Sequence, residues 1–176
     1  MDYWHGLPTG SKTPDVINMI VEIPKGSQNK YEYDKRYGIF KLDRVLFSPF
    51  HYPGDYGLIP QTLAEDNDPL DALVLVTHPT KQGTLIECRP IGVLEMVDNN
   101  ENDDKILCVP IGDIRFDGHK DLKDLPEHYL KEIAHFFEAY KHLEGKKVKI
   151  LGWKDAGEAK KIILESVERY QKKFKK

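Results

Sequence analysis

Asp66-Asn67-Asp68-Pro69-Leu70-Asp71-Ala72-Leu73-Val74-Leu75-Val76 runs from a turn crowded with carboxylates straight into an apolar segment. Asx and Pro residues initiate the turn. The apolar half, residues 72–77, has the length and branching of a strand buried on both faces. Outward from it the pattern repeats. Residues 16–23 form a continuous apolar run closed by Pro24-Lys25-Gly26-Ser27, a strand and its turn. Lys30-Tyr31-Glu32-Tyr33-Asp34 alternates, which puts Lys30, Glu32 and Asp34 on one face and the tyrosines on the other. Residues 38–47 read as its hairpin partner, and further strands are expected at 84–97, 105–111 and 147–151. Many short strands separated by Gly and Pro predict a closed or nearly closed barrel.

Two helices are expected late in the chain. The first starts at Asp124-Leu125-Pro126-Glu127, read as an Asp124 N-cap with Pro126 in the first turn, and stops near Gly145. The second starts at Asp155-Ala156-Gly157-Glu158 and frays over residues 172–176. The expected class is α+β, mainly β, with residues 1–176 as one domain.

Of the 176 residues, 40% are hydrophobic and 31% charged, the balance of an ordinary globular protein. No segment nears the roughly 20 apolar residues of a membrane span, and the start lacks a signal-peptide pattern, so the expected location is cytoplasmic. The formal charge of −3 argues against a general nucleic-acid binder. Cys88 and Cys108 lie in strand-like runs, with neither disulfide nor zinc spacing, and read as small core residues.

Three carboxylates within six residues repel one another unless a cation neutralises them. An EF-hand is excluded: with Asp66 as position one, the sixth position is Asp71 rather than Gly and the twelfth is Thr77 rather than Glu. A second acidic patch, Asp98-Asn99-Asn100-Glu101-Asn102-Asp103-Asp104, reads as a polar hairpin loop. Two acidic loops at one barrel mouth would offer oxygen ligands to hard cations. Lys30, Arg44, Lys105 and Lys141, with Tyr52 and Tyr56 in the loop around Pro53-Gly54, add groups suited to anionic oxygens. Alternation places Arg44 opposite its neighbour Asp43. Glu22 and Glu32 either face outward or are paired or metal-bound inside the barrel.

These residues resemble family I soluble inorganic pyrophosphatases of the short prokaryotic type. The hallmark is Asp66-Asn67-Asp68-Pro69-Leu70-Asp71, with aspartates at its first, third and sixth positions. Val21-Glu22-Ile23-Pro24, Lys30-Tyr31-Glu32, Asp43-Arg44, Tyr52-Pro53, Tyr56-Gly57, Arg89-Pro90-Ile91-Gly92-Val93 and His135–Lys141 follow in the family's order, and the likeness extends from Trp4 to Tyr170. The resemblance implies an OB-like twisted five-stranded barrel with helices outside, and Mg²⁺-dependent hydrolysis of pyrophosphate to two phosphates by a metal-activated water. It implies several Mg²⁺ ions per site, with Mn²⁺ or Zn²⁺ as substitutes, and a homo-oligomer, a hexamer in this branch.

Carried over residue by residue, Asp66, Asp71 and Asp103 would ligate the activating metals. Asp98 would help hold a metal arriving with substrate, and Glu22 would take part through water. Asp68 would be the general base. Lys30, Arg44, Lys105, Tyr140 and Lys141 would hold phosphate oxygens, with Tyr56 near the nucleophile and Tyr52 and Glu32 in support. Many relatives carry an acidic residue where this chain has Asn99, so the substrate-borne metal site is expected to be weaker here or to rely more on Asp103. The rival expectation is a non-catalytic OB-fold protein that binds metal or nucleic acid, the latter needing exposed aromatics on a basic face.

Overall fold

The computed structural model describes residues 1–175. Within them lie strands β1 (Ile17–Ile23), β2 (Asn29–Asp34), β3 (Ile39–Val45), β4 (Asp55–Leu58), β5 (Asp71–Val74), β6 (Leu85–Asp98), β7 (Glu101–Asn102) and β8 (Lys105–Pro110). Helix α1 (Glu127–Ala139), strand β9 (Val148–Asp155) and helix α2 (Ala156–Phe174) complete the order. The neighbours β1-β4-β5-β8-β6 close because β1 also pairs with β6, through Ile17 opposite Cys88 and Ile20 opposite Leu85. This is the expected five-stranded barrel. Pairing is antiparallel except between β5 and β8, where Asp71 lies beside Lys105. β9 and β7 extend the sheet along the far half of β6, while β2 and β3 form a separate hairpin.

Closure requires β6 to serve two neighbourhoods. Its first residues pair with β1 and its last seven with β9. A bulge between Pro90 and Gly92 bends the strand there, where proline's missing N–H costs least. Alternate residues then serve opposite faces. Leu73, Leu107 and Val109 pack with Ile133, Phe136 and Phe137 of α1. Ala72, Val74, Ile106 and Cys108 pack with Ala159 and Ile163 of α2. Every residue of β1 is buried, the polar Asn18 and Glu22 included. Cys88 and Cys108 are free thiols in the second cluster, as expected.

Three sequence expectations need correction. The segment read as a loop around Tyr52 and Tyr56 becomes a barrel strand at Asp55. Its four residues are all buried, but Pro53, Gly54 and Gly57 obscured the run. Helix α1 begins at Glu127 behind Pro126; Asp124 instead closes a preceding 3₁₀ turn, accepting from the backbone of Lys120 and Asp121. Gly145 does not end α1, which stops at Ala139. It caps the following 3₁₀ turn at φ 73°. The second acidic patch is the hairpin expected, with a two-residue turn: Asp98 pairs with Glu101 across Asn99 and Asn100, both at positive φ. The second helix does start on Asp155, whose carboxylate accepts from the Glu158 N–H at 3.0 Å. It runs to Phe174, and Lys176 of the expected fraying end lies outside the described residues.

Gly57 shows how tightly β1 and β4 approach. A Cβ there would stand 1.9 Å from the carbonyl oxygen of Ile20, which cannot move without breaking the ladder. Gly57→Ala is expected to destabilise by about 3 kcal/mol, read as a lowered thermal midpoint. A wild-type midpoint would contradict this pairing of β1 with β4.

Candidate active site

A cleft of about 490 Å³ opens between the β2–β3 hairpin and the barrel mouth. The hairpin wall presents Lys30, Glu32, Lys35, Arg36 and Lys41. The barrel wall presents Glu22 from β1, Tyr56 from β4 and Asp66, Asp68 and Asp71 at the entry to β5. The turn before β5 is held by its own groups: the Asp68 N–H donates to Asp66 Oδ1 at 3.0 Å, and Asn67 sits at φ 71°. Strand pairing with β8 then sets Asp71 against Lys105.

Asp71 is the junction of the site. Its Oδ2 accepts from the Tyr56 hydroxyl at 2.5 Å and from Lys105 Nζ at 2.6 Å. The same ammonium donates to Asp103 Oδ1 at 2.5 Å, although the Lys105 side chain is only 4% exposed. Burial alone would lower its pKa, but the charges of Asp71 and Asp103 outweigh that and hold it above the ordinary lysine range. Glu22 shows the opposite balance. Burial first, then the negative charge of Asp71, push its carboxyl up to about 8, against one hydrogen bond from the Tyr33 N–H at 2.7 Å. Burial also raises Asp66, and its acidic neighbours add to the shift. These are carboxylates that a cation would relieve.

A second group lies where the far end of β6 meets the end of α1. Lys141 ion-pairs with Asp98 Oδ2, while Asp98 Oδ1 is buried without a partner. Tyr140 stacks on Phe136 with ring centroids 5.0 Å apart. Burial raises its pKa, and the charges of Lys105, Lys30, Asp103 and Asp98 all bear on it. Tyr140 therefore joins the two groups. Tyr52 packs against Tyr56 and Phe136 beneath the cleft. Burial holds both Tyr52 and Tyr56 well above the ordinary phenol pKa, so they stay protonated donors.

Arg44 faces Lys30 across the hairpin. Asp43 is the extra residue of a bulge at that point, and it pairs with both Lys30 and Arg44 rather than lying opposite Arg44 as strict alternation predicts. Glu144, from the turn after α1, accepts from Arg44 Nε at 2.8 Å. Arg44 Nη2 remains buried without a partner. An unpaired buried guanidinium nitrogen and an unpaired buried carboxylate oxygen each cost about 1–3 kcal/mol, and they call for an anion and a cation respectively.

Among the described residues, no three acidic, imidazole or thiolate groups converge into a ready metal cage. Mg²⁺ keeps waters and takes one or two carboxylates plus substrate oxygens. The all-carboxylate set therefore fits a hard, partly hydrated cation. Glu22 is turned inward, 8% exposed, and Glu32 is exposed beside Lys30. Asn99 lies exposed at the hairpin tip, where positive φ suits it. Sequence reading missed Lys35, Asp43 and Glu144. Only the bulge could have marked Asp43, and nothing local marks the others.

Three comparisons bear on this site. The sequence profile of the inorganic pyrophosphatase family matches residues 19–171. The inorganic pyrophosphatase of Halalkalibacterium halodurans is 54% identical over 158 residues, 90% of this chain and 97% of the relative. That of Picrophilus torridus is 44% identical over 172 residues, 98% and 97% respectively. The crystal structure of the Thermus thermophilus inorganic pyrophosphatase superposes with a TM-score of 0.94 at 47% identity, covering 97% of this chain and 99% of that one.

Proposed function

The chain belongs to the inorganic pyrophosphatase family, and on that premise we propose that its two-walled cleft performs the family's reaction by direct attack of water, with Asp68 taking the proton. One pyrophosphate and one water give two orthophosphates. The observation that carries this reading is the opposition of charge: a cationic hairpin faces a carboxylate wall across one cleft, the complement of a phosphate anion with its counter-cations.

The family is metal-dependent, and the donor set supports Mg²⁺, several ions per site, which Asp66, Asp71 and Asp103 would hold, with Asp98 and Glu22 contributing. Mn²⁺ and Zn²⁺ are the candidate substitutes. Bound there, such ions supply Lewis acidity and lower the pKa of water. The chain's own groups do the rest. Asp68, exposed in the cleft, accepts the proton of the attacking water as its oxygen bonds to phosphorus. The bridging P–O bond breaks, and the leaving phosphate keeps the electron pair. Lys30, Arg44, Tyr140 and Lys141 hold phosphate oxygens, Arg44 through its free Nη2. Lys105 spends two donors on Asp71 and Asp103 and keeps a third for substrate. Tyr56 stands at the nucleophile side on Asp71. Tyr52 supports that ring, and Glu32 orients Lys30.

Nucleic-acid binding is disfavoured because Tyr52, Tyr56 and Tyr140 are buried, which leaves no stacking platform there. We read residues 1–176 as one catalytic domain acting in the cytoplasm; no helix among the described residues is long and apolar enough to cross a membrane. A homo-oligomer, a hexamer by family likeness, would cover exposed apolar side chains such as Tyr129, Leu143 and Leu151. Phosphate release from pyrophosphate and from a phosphomonoester separates the readings. Turnover is expected on pyrophosphate alone; equal turnover of the monoester would mean that the site reads a single phosphate.

A further inference from the structure

Lys35 lies on the turn that joins β2 to β3, outside every motif described above. Its ammonium ion-pairs with Asp68 Oδ1 across the cleft. Among the described residues this ion pair joins the hairpin wall to the carboxylate wall. The same Nζ sits 4.5 Å from the centre of the Trp4 ring, a cation–π contact. Trp4 is itself anchored: 5% exposed, it donates Nε1–H to the Thr62 carbonyl at 2.8 Å and packs against Tyr170 and Phe174 of α2. Asp68 has the opposite character. Its backbone is anchored, with the Ala64 N–H donating to its carbonyl at 2.8 Å, but its side chain is 63% exposed. A half-solvated carboxylate without a partner samples several rotamers, and a proton acceptor must be held in one.

We propose that Lys35 is a positioning residue for the reaction, fixing the Asp68 carboxylate toward the attacking water from a shelf made by Trp4. The proposal rests on Asp68 as proton acceptor. It assigns the N-terminal segment and α2 a part in catalysis: they hold the ring that holds the ammonium. It also accounts for the hairpin tip closing one side of the cleft, since the tip carries Lys35 to Asp68.

The test is steady-state kinetics of the full chain at saturating Mg²⁺ for Lys35→Met, Lys35→Arg, Asp68→Asn and the Lys35→Met/Asp68→Asn pair. Lys35→Met is expected to lower kcat about tenfold, a modest share of what misplacement of a reacting group can cost. KM for pyrophosphate and the thermal midpoint should stay at wild-type values. Lys35→Arg, which keeps both the charge and the ring contact, should restore most of kcat. In the Asp68→Asn background, Lys35→Met should cost nothing further. A raised KM with unchanged kcat would make Lys35 a substrate ligand and overturn the proposal. So would wild-type kcat, a parallel fall in thermal midpoint, or a loss that persists in the Asp68→Asn background. Full activity of Asp68→Asn alone would instead sink the assignment of the base, a separate result.

Discussion

Asp68→Asn is expected to fold like the wild type and to lose roughly 10²–10⁴-fold in kcat, the range for removing a general base. The amide matches the carboxylate in shape, so the Asp68 N–H keeps its bond to Asp66 and the turn survives. What disappears is the ion pair with Lys35, whose side chain is 37% exposed against 63% for Asp68. Such solvated pairs contribute about 0–1 kcal/mol to stability, so the thermal midpoint should barely move. The kinetic effect is of another order because an amide cannot accept the proton that attacking water gives up. KM for pyrophosphate should change little, since the phosphate-holding groups are elsewhere. Rate and melting measured together decide the matter: an active variant would move the proton to another acceptor, and an unfolded one would make the residue structural.

The second large effect is expected at Asp71→Asn. This carboxylate serves Tyr56, Lys105 and, on our reading, the metals at once. Neutralising it should reduce turnover at low Mg²⁺ by about 10²–10³-fold, the scale of losing one charge-stabilising group. Raising the Mg²⁺ concentration should recover part of that loss. It should also lower stability by about 1–3 kcal/mol, because the buried Lys105 ammonium keeps only Asp103 as counter-charge. Titrating activity against Mg²⁺ separates the two contributions. A loss that no Mg²⁺ concentration relieves would place Asp71 outside the metal set.

The barrel was legible in the sequence because its strands are apolar runs broken by turns, and β1, β5 and β8 satisfy that rule on both faces. Strand β4 was not, since a four-residue strand that needs glycine for close approach to Ile20 looks like a loop. Helix α2 announced itself through the Asp155 cap. For α1, Asp124 offered an equally good cap, and the chain used it for the preceding 3₁₀ turn while Pro126 fixed the true start. The acidic run before β5 could be picked out because three carboxylates within six residues repel one another unless a cation neutralises them, and Arg44 because it suits the anion such cations accompany. Their connections could not. Glu144 reaches Arg44 over a separation of 100 residues, and Lys35 reaches Asp68 over 33. Such pairings depend on how the hairpin folds back over the barrel mouth, which no local spacing encodes. The bulge at Asp43 likewise broke the alternation on which the facing of Arg44 was judged.

The central claim, that the opposed carboxylate and cationic walls form a metal-dependent pyrophosphate-hydrolysing site, is tested most directly by phosphate release from pyrophosphate with Mg²⁺ and with excess chelator. The account predicts two phosphates per pyrophosphate with Mg²⁺, loss of turnover on chelation and recovery when Mg²⁺ is restored. Turnover that survives complete chelation, or its absence in folded protein supplied with Mg²⁺, would contradict it.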